Sequence, residues 1–322
     1  MQYYCSYVLG FPAPAGTKAD KGSCTHRTLE VLAVIKKALQ DGGISTIMDD
    51  AIGEVEVDEG KLHTDAFVRH VSDRAYDYYS THSVNKFAKG DREDVYQWAM
   101  KVCKSPNDPR ILDIVAPESQ FDIELPYEWA KYSYPMPDGS VLAGSLRLKG
   151  TMDLIHRLSP TVLELSDYKT GKRYNWAKDT VKTFDDLCKD EQLLLYYYAC
   201  NHLYHNQCKH IIVSINWIND GGNFTLNYGP NDLMTAERIL QEKFELIKET
   251  RQPRLNKTWK CSKLCHFGKN EHPSGDINPR TGAPHTICSF MEDSVRVKGM
   301  ERTNMEQTQH GFSLAEYQIP GL

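Results

Sequence analysis

The sequence predicts an α/β fold with a helical N-terminal portion. Three observations carry that expectation. Apolar residues recur at helical spacing within residues 25–40 and again within 63–103. From about residue 118 the pattern changes to short strand-like segments bounded by turn residues. After about residue 185 a helix, two strands and a further helix follow in turn.

The elements follow in chain order. "APAGTKADKG" reads as a loop behind an aromatic N-terminus. "THRTLEVLAVIKKALQ" puts Leu29, Leu32, Ile35 and Leu39 near helical spacing, and "DREDVYQWAMKVCK" is a second amphipathic helix. "SQFDIELPY", "VLAGSLRLKGTMDLIHRL" and "TVLELSDYK" read as strands, the first two separated by a turn at Pro137-Asp138-Gly139. "DDLCKDEQLLLYYYACNHLYH" reads as one helix. "HIIVSINWI" and "NFTLNYG" form a hairpin through Asn219-Asp220-Gly221-Gly222. "NDLMTAERILQEKFELIKET" is a helix with Leu233, Ala236, Leu240, Phe244 and Ile247 on one face. Residues 255–290 hold three cysteines and little periodicity, and 291–322 read as a polar, partner-binding tail.

The totals exclude several classes. A chain of 322 residues supports a real core. No run of about 18 apolar residues suggests a membrane span. The N-terminus lacks a basic n-region, so a cytoplasmic location is expected rather than secretion. The net charge of −5 is not that of a protein coating nucleic acid with a basic surface, although a local basic groove stays compatible with it. Nine cysteines, an odd number, argue against a disulfide framework in a reducing compartment.

Chemistry concentrates at the end of "TVLELSDYK". Asp167 and Lys169 are two apart on an extended chain and so share a face. Asp153 lies on the preceding strand, in "GTMDLI", and a turn at Ser159-Pro160 allows the two strands to pair. Two carboxylates at one sheet end suit a hard divalent cation such as Mg²⁺ or Mn²⁺. A lysine beside them suits charge developing on a phosphate. In this arrangement Lys169 need not pair with Asp167 at all; both face one phosphate. Taken alone, Asp-x-Lys also reads as a surface salt bridge at an exposed strand end. Two further pairs at helical spacing, His26 with Glu30 and Gln192 with Tyr196, add to the set. Glu164 falls on the strand face opposite Asp167 and stays outside it.

Four motifs stand in a telling order: Gly22 to Glu30 (Gly-x-x-x-His-x-x-Leu-Glu), Gly150 to Asp153, Asp167 to Gly171, and Gln192 to Tyr196. In this order the chain resembles the RecB-like branch of the PD-(D/E)XK nucleases, across roughly residues 20–200. The resemblance implies a restriction-endonuclease-like mixed central sheet flanked by helices. It implies that Asp153 and Asp167 bind Mg²⁺ or Mn²⁺, with His26 and the Tyr168 carbonyl as further ligands. Lys169 would be the catalytic lysine, and Gln192, Tyr196 and Glu30 would brace the site or contact DNA. A further glutamate is implied on the strand before "GTMD"; Glu124 is preferred over Glu118.

The resemblance extends to the cysteines. Some RecB-like nucleases, including CRISPR-associated ones, hold a [4Fe–4S] cluster with one cysteine before the histidine motif and three after the core. Cys5, Cys261, Cys265 and Cys288 are similarly placed, though the 22 residues between the last two depart from the usual spacing. Zn²⁺, with His266, His272 or His285 as co-ligands, is the alternative. Cys24, Cys103, Cys188, Cys200 and Cys208 read as ordinary thiols.

These readings imply a single nuclease domain over 1–290, with a helical insertion at about 60–105, a cysteine segment at about 255–290 and the tail at 291–322. The function implied is a metal-dependent DNA exonuclease of recombination, repair or phage replication, in a bacterial cytoplasm or that of a phage's host. DNA, single-stranded or at duplex ends, is the implied substrate, and recombination or replication proteins are the implied partners of the tail. A flap or junction endonuclease, an inactive DNA-binding subunit and a small-phosphoester hydrolase are the competing functions.

Overall fold

The structure is a computed structural model that describes residues 16–136, 138–175, 178–249, 258–272, 274–299 and 302. These residues form two compact units, one spanning 16–249 and the other drawn from 258 onward. Among them no helix is long and apolar enough to cross a membrane.

The first unit opens with helix α1 (Thr17–Asp41), which starts eight residues before the periodic stretch. "TKADKG" is therefore helix, not loop. The apolar stripe failed to mark this start because the first turns turn polar groups outward and to a neighbouring loop. The helix ends at Gly42, whose φ of +74° suits glycine. Leu29, Leu32 and Ile35 are buried as the spacing predicts. A short hairpin, β1 (Thr46–Asp49) and β2 (Gly53–Glu56), follows; its four-residue strands are too short for alternation to reveal. Helices α2 (Glu59–Leu62), α3 (Asp65–His82) and α4 (Asp91–Cys103) make up the expected helical region. Thr64 caps α3 by accepting the Phe67 N–H at 3.2 Å. Val68, Val71, Ala99 and Val102 share one core with Leu29 and Leu32.

The central sheet has the strands β3 (Asp113–Glu124), β6 (Arg147–Ser159), β7 (Val162–Lys169), β10 (His210–Trp217) and β11 (Gly222–Asn227), in the order β11-β10-β7-β6-β3. All neighbours are antiparallel except β7 and β10, which run parallel. That parallel pair requires a crossover, supplied by α5 (Phe184–Cys188) and α6 (Glu191–Tyr204). The segment read as one helix breaks at Lys189-Asp190, where the Asp190 side chain accepts the Gln192 N–H and starts α6 afresh. Of the turn expected at residues 137–139, residue 137 lies outside the described residues, and Asp138-Gly139 falls between β4 (Lys131–Pro135) and β5 (Val141–Ser145), a separate two-stranded ribbon. A second small ribbon pairs β8 (Tyr174–Asn175) with β9 (Thr180–Val181). Helix α7 (Pro230–Glu249) buries Ala236, Leu240 and Phe244, whereas Ile247 is exposed near its end.

The sheet separates two cores. Leu163, Leu165 and Val213 pack with Leu193 and Tyr197 of α6. Leu154 and Tyr168 pack with the α1–α4 side. Glu164 is buried outside the acid–lysine group: it faces His156 Nε2 at 3.3 Å and accepts the Ser214 hydroxyl.

The second unit holds α8 (Trp259–Lys263), α9 (His266–Lys269) and α10 (Ile287–Lys298), and α9 and α10 pack together through Phe267, Ile287 and Met291. The stretch read as a polar tail from 291 thus begins inside a helix. Met291 is 1% exposed, and it is the amphipathic face of α10 that buries it.

Candidate active site

Strands β6 and β7 part at the site. Their ladder runs no further than Leu154 opposite Ser166. Beyond that point the Asp153 carboxylate enters the gap, and its Oδ2 accepts the Tyr168 N–H at 2.7 Å. Asp167 and Lys169 lie on one face of β7, as alternation requires. They are directly paired: Lys169 Nζ donates to Asp167 Oδ1 at 2.8 Å and lies 2.6 Å from Oδ2. The reading in which Lys169 need not pair with Asp167 gives way to a direct ion pair. Neither is this a surface salt bridge, since Asp167 is 2% exposed. Burial denies the Asp167 carboxylate water as a partner and favours the Lys169 ammonium in its place.

Helix α1 brings His26 to the same place, with Nδ1 3.2 Å from Asp153 Oδ1. Its approach depends on Gly22, one turn earlier, where a Cβ would lie 2.9 Å from Thr170 Oγ1. The buried Tyr168 ring is held from below, its hydroxyl donating to the Asn107 carbonyl at 3.1 Å. From α6, the Gln192 amide donates to the Tyr196 hydroxyl at 3.0 Å. Burial first, and then the Asp167 charge, raise the Tyr196 phenol, which places it within electrostatic reach of the acids.

Glu118, not Glu124, is the glutamate brought to this site. The register of β3 against β6 sets Pro117 opposite Leu154 and Ser119 opposite Met152, so Glu118 falls level with Asp153. Its φ of +34° is left-handed, which a non-glycine residue adopts only under constraint. Glu124 lies six residues on, about 20 Å along an extended strand, and pairs with Arg147 at 2.8 Å. Glu30 lines the cleft beside Glu118 and is clamped by Arg27, whose Nη1 donates to both its oxygens at 2.7 Å. Arg27 also reaches Asp49 Oδ2 at 3.0 Å, which ties α1 to β1. The resulting cleft, about 390 Å³, is lined by His26, Glu30, Tyr79, Glu118, Lys169 and Thr170 among others. Arg27 and Thr170 stand next to motif residues and could have been found there. Asp49, Tyr79 and Asn107 carried no sequence signal.

The charges are strongly coupled. Burial pushes the Asp167 carboxyl up to about 6; the Lys169 charge opposes this and the Asp153 charge adds to it. Burial disfavours both ions of the His26–Asp153 pair, but their mutual hydrogen bond prevails, raising His26 and lowering Asp153. Burial likewise works against the Lys169 ammonium, and Asp167 overrides it. Burial, then the neighbouring Glu118 carboxylate, push Glu30 up to about 8 against the pull of Arg27.

The donor set fits a hard divalent cation. Asp153, Asp167 and the Tyr168 carbonyl offer oxygens, and His26 offers a nitrogen. Asp167 Oδ2 is buried and receives no aligned hydrogen bond, so it retains acceptor capacity. Among the described residues no three His, Cys, Asp or Glu side chains stand together as a ready metal-binding group. In the structure Asp153 faces His26 and Asp167 faces Lys169.

Cys5 lies outside the described residues. Cys265 and Cys288 pack against the Phe267 core. Burial raises the Cys288 thiol to about 11, with Cys265 and Cys261 close enough to add to the shift. Among the described residues these cysteines form no metal-binding group. His272 and His285 are joined through the backbone, His272 N–H to His285 C=O at 2.7 Å, and their rings lie against Phe290.

A mixed five-stranded sheet with two acids and a lysine gathered where its strands diverge defines a class of nuclease. The chain belongs to the PD-(D/E)XK nuclease superfamily, whose family model matches residues 1–269. No curated protein matches the chain.

Proposed function

We propose that the protein is a RecB-like, Mg²⁺- or Mn²⁺-dependent deoxyribonuclease, and specifically an exonuclease acting at DNA ends in recombination, repair or phage replication. The observation that carries the reading is the meeting of Asp153, Asp167 and Lys169 at the gap between β6 and β7. Asp153, Asp167, His26 and the Tyr168 carbonyl would hold the cation, which supplies an activated water and screens phosphate charge. The protein's own contribution is positional. The Tyr168 N–H fixes Asp153, and the buried β7 strand fixes Asp167 and Lys169 in one plane of approach. The Lys169 ammonium, 34% exposed in its side chain, is the cation that a phosphate oxygen can reach from the cleft. Gln192 and Tyr196 brace that face from α6, and Glu30 and Glu118 form the acidic wall across from it.

The test is digestion of linear and closed circular DNA, single-stranded and duplex, with Mn²⁺, with Mg²⁺ and with EDTA. The expected result is metal-dependent loss of linear DNA and survival of closed circles. Cutting of circles would replace the exonuclease with an endonuclease. Undiminished cleavage by Asp167→Asn or Lys169→Ala would overturn the site itself.

The proposed holders of a [4Fe–4S] cluster are Cys5, Cys261, Cys265 and Cys288, with Zn²⁺ as the alternative. The packing of Cys265 and Cys288 against one core supports this reading. Metal analysis and the visible absorbance of anaerobically purified protein distinguish iron, zinc and neither.

A further inference from the structure

Aromatic rings continue the cleft beyond its carboxylates. Tyr79, near the end of α3, lines the same cleft as His26, Glu30 and Lys169. Among the described residues its hydroxyl makes no hydrogen bond. Tyr78 meets the Tyr79 ring edge-on, with centroids 5.4 Å apart and planes at 84°. One turn further, His82 stacks on Tyr78 at 4.3 Å and 29°. His82 Nδ1 lies 2.7 Å from the Tyr78 carbonyl oxygen, so its N–H donates there and fixes the ring. His82 is exposed, and among the described residues no other ring touches it. This aromatic turn is tied to the helix that carries His26. The Ser83 hydroxyl and the Asn85 amide both donate to Asp20 Oδ2 on α1, at 2.6 and 2.8 Å.

Several cations at or near the cleft already meet carboxylates. Arg27 serves Glu30 and Asp49, Lys169 serves Asp167, and Lys21 serves Asp91 and Asp94. With a net charge of −5, the chain has little surplus positive charge for gripping a phosphate backbone. Ring faces offer a second grip on a strand, beside the Lys169 ammonium. They serve only bases whose own faces are open, and a duplex keeps those faces stacked on one another.

We infer that Tyr79, Tyr78 and His82 form a stacking path for the bases of an unpaired nucleic-acid strand whose end enters the cleft. The inference rests on the nuclease reading and narrows its substrate to an unpaired end. The path runs from the acids outward: Tyr79 at the cleft, then the Tyr78–His82 stack, whose outer face is open.

The test is anisotropy of a labelled oligothymidylate and of a duplex of equal length, with the full chain in EDTA so that nothing is cut. The wild type should favour the single strand. Tyr78→Leu combined with His82→Ala should weaken single-strand binding by about 5- to 100-fold, with duplex binding unchanged. His82→Trp, a larger ring at an exposed position, should bind at least as tightly as wild type. A 2-aminopurine base near the strand end should be quenched on the wild type and on His82→Trp, but not on the double variant. Equal affinity for both DNAs, or a double variant that binds and quenches like wild type, overturns the stacking path. Mn²⁺-dependent cleavage by the wild type is read separately, so failure of the path and failure of the nuclease assignment give different results.

Discussion

On the β6 side, the Asp153 carboxylate takes the place of a strand partner for the Tyr168 N–H. Its Oδ2 accepts the Tyr168 N–H at 2.7 Å while its Oδ1 faces His26 Nδ1 at 3.2 Å. One side chain therefore closes the sheet and anchors α1 at the point where the proposed chemistry lies.

Asp153 should thus show separable structural and functional roles. Asp153→Ala leaves the Tyr168 N–H without its acceptor, a loss of about 1–3 kcal/mol. Asp153→Asn keeps an amide oxygen for that N–H and should cost clearly less in urea unfolding. Both should lack metal-dependent cleavage. An asparagine variant with wild-type cleavage would remove Asp153 from the reaction.

Glu30 should make stability fall as pH rises. Its carboxyl is raised from 4.5 to about 8 in the folded protein, by burial and by Glu118. A pKa raised on folding favours the fold fully below the unfolded value and loses that favour as pH climbs through the folded one. Glu30→Gln removes this slope. Its stability relative to wild type should therefore increase by about 1–3 kcal/mol between about pH 5 and about pH 9. A constant difference in urea unfolding across that range would show that Glu30 does not titrate as described.

Gly22 should separate activity from stability. Alanine favours a helix interior over glycine by about 1 kcal/mol, yet its Cβ would sit 2.9 Å from Thr170 Oγ1. Pushing α1 away moves His26 from Asp153. Gly22→Ala should keep or raise the melting temperature and lower cleavage by about tenfold or more. Adding Thr170→Ala should restore the rate. No recovery in the double variant would mean that the close approach is not what limits activity.

Gly150 should behave in the opposite way, as a packing position. A Cβ there would lie 2.6 Å from the Phe121 ring, which is buried on the neighbouring strand. Gly150→Ala should cost about 1–3 kcal/mol through overpacking. Phe121→Leu in the same chain should recover part of that cost in a double-mutant cycle. Additive losses would place the strain elsewhere.

Much of the site was legible in local spacing. Asp167 and Lys169 share a face because side chains alternate along a strand, and His26 and Glu30 share one because a helix repeats near four residues. The choice between Glu118 and Glu124 was not legible. Both lie on β3 an even number of residues apart, so alternation treats them alike. Only the pairing of β3 with β6 sets Glu118 level with Asp153 and sends Glu124 to Arg147.

The sequence by itself determined the α/β class, the main core strands and helices, the acids and lysine on neighbouring strands, and the hairpin of β10 with β11, because these depend on period and turn residues within a few positions. The tertiary structure decided the rest. It fixed the strand register, the gap that Asp153 fills, the approach of α1 over Gly22, and the burial that locks Lys169 onto Asp167. Register and dielectric environment are set by residues far apart in the chain, and no local pattern encodes them.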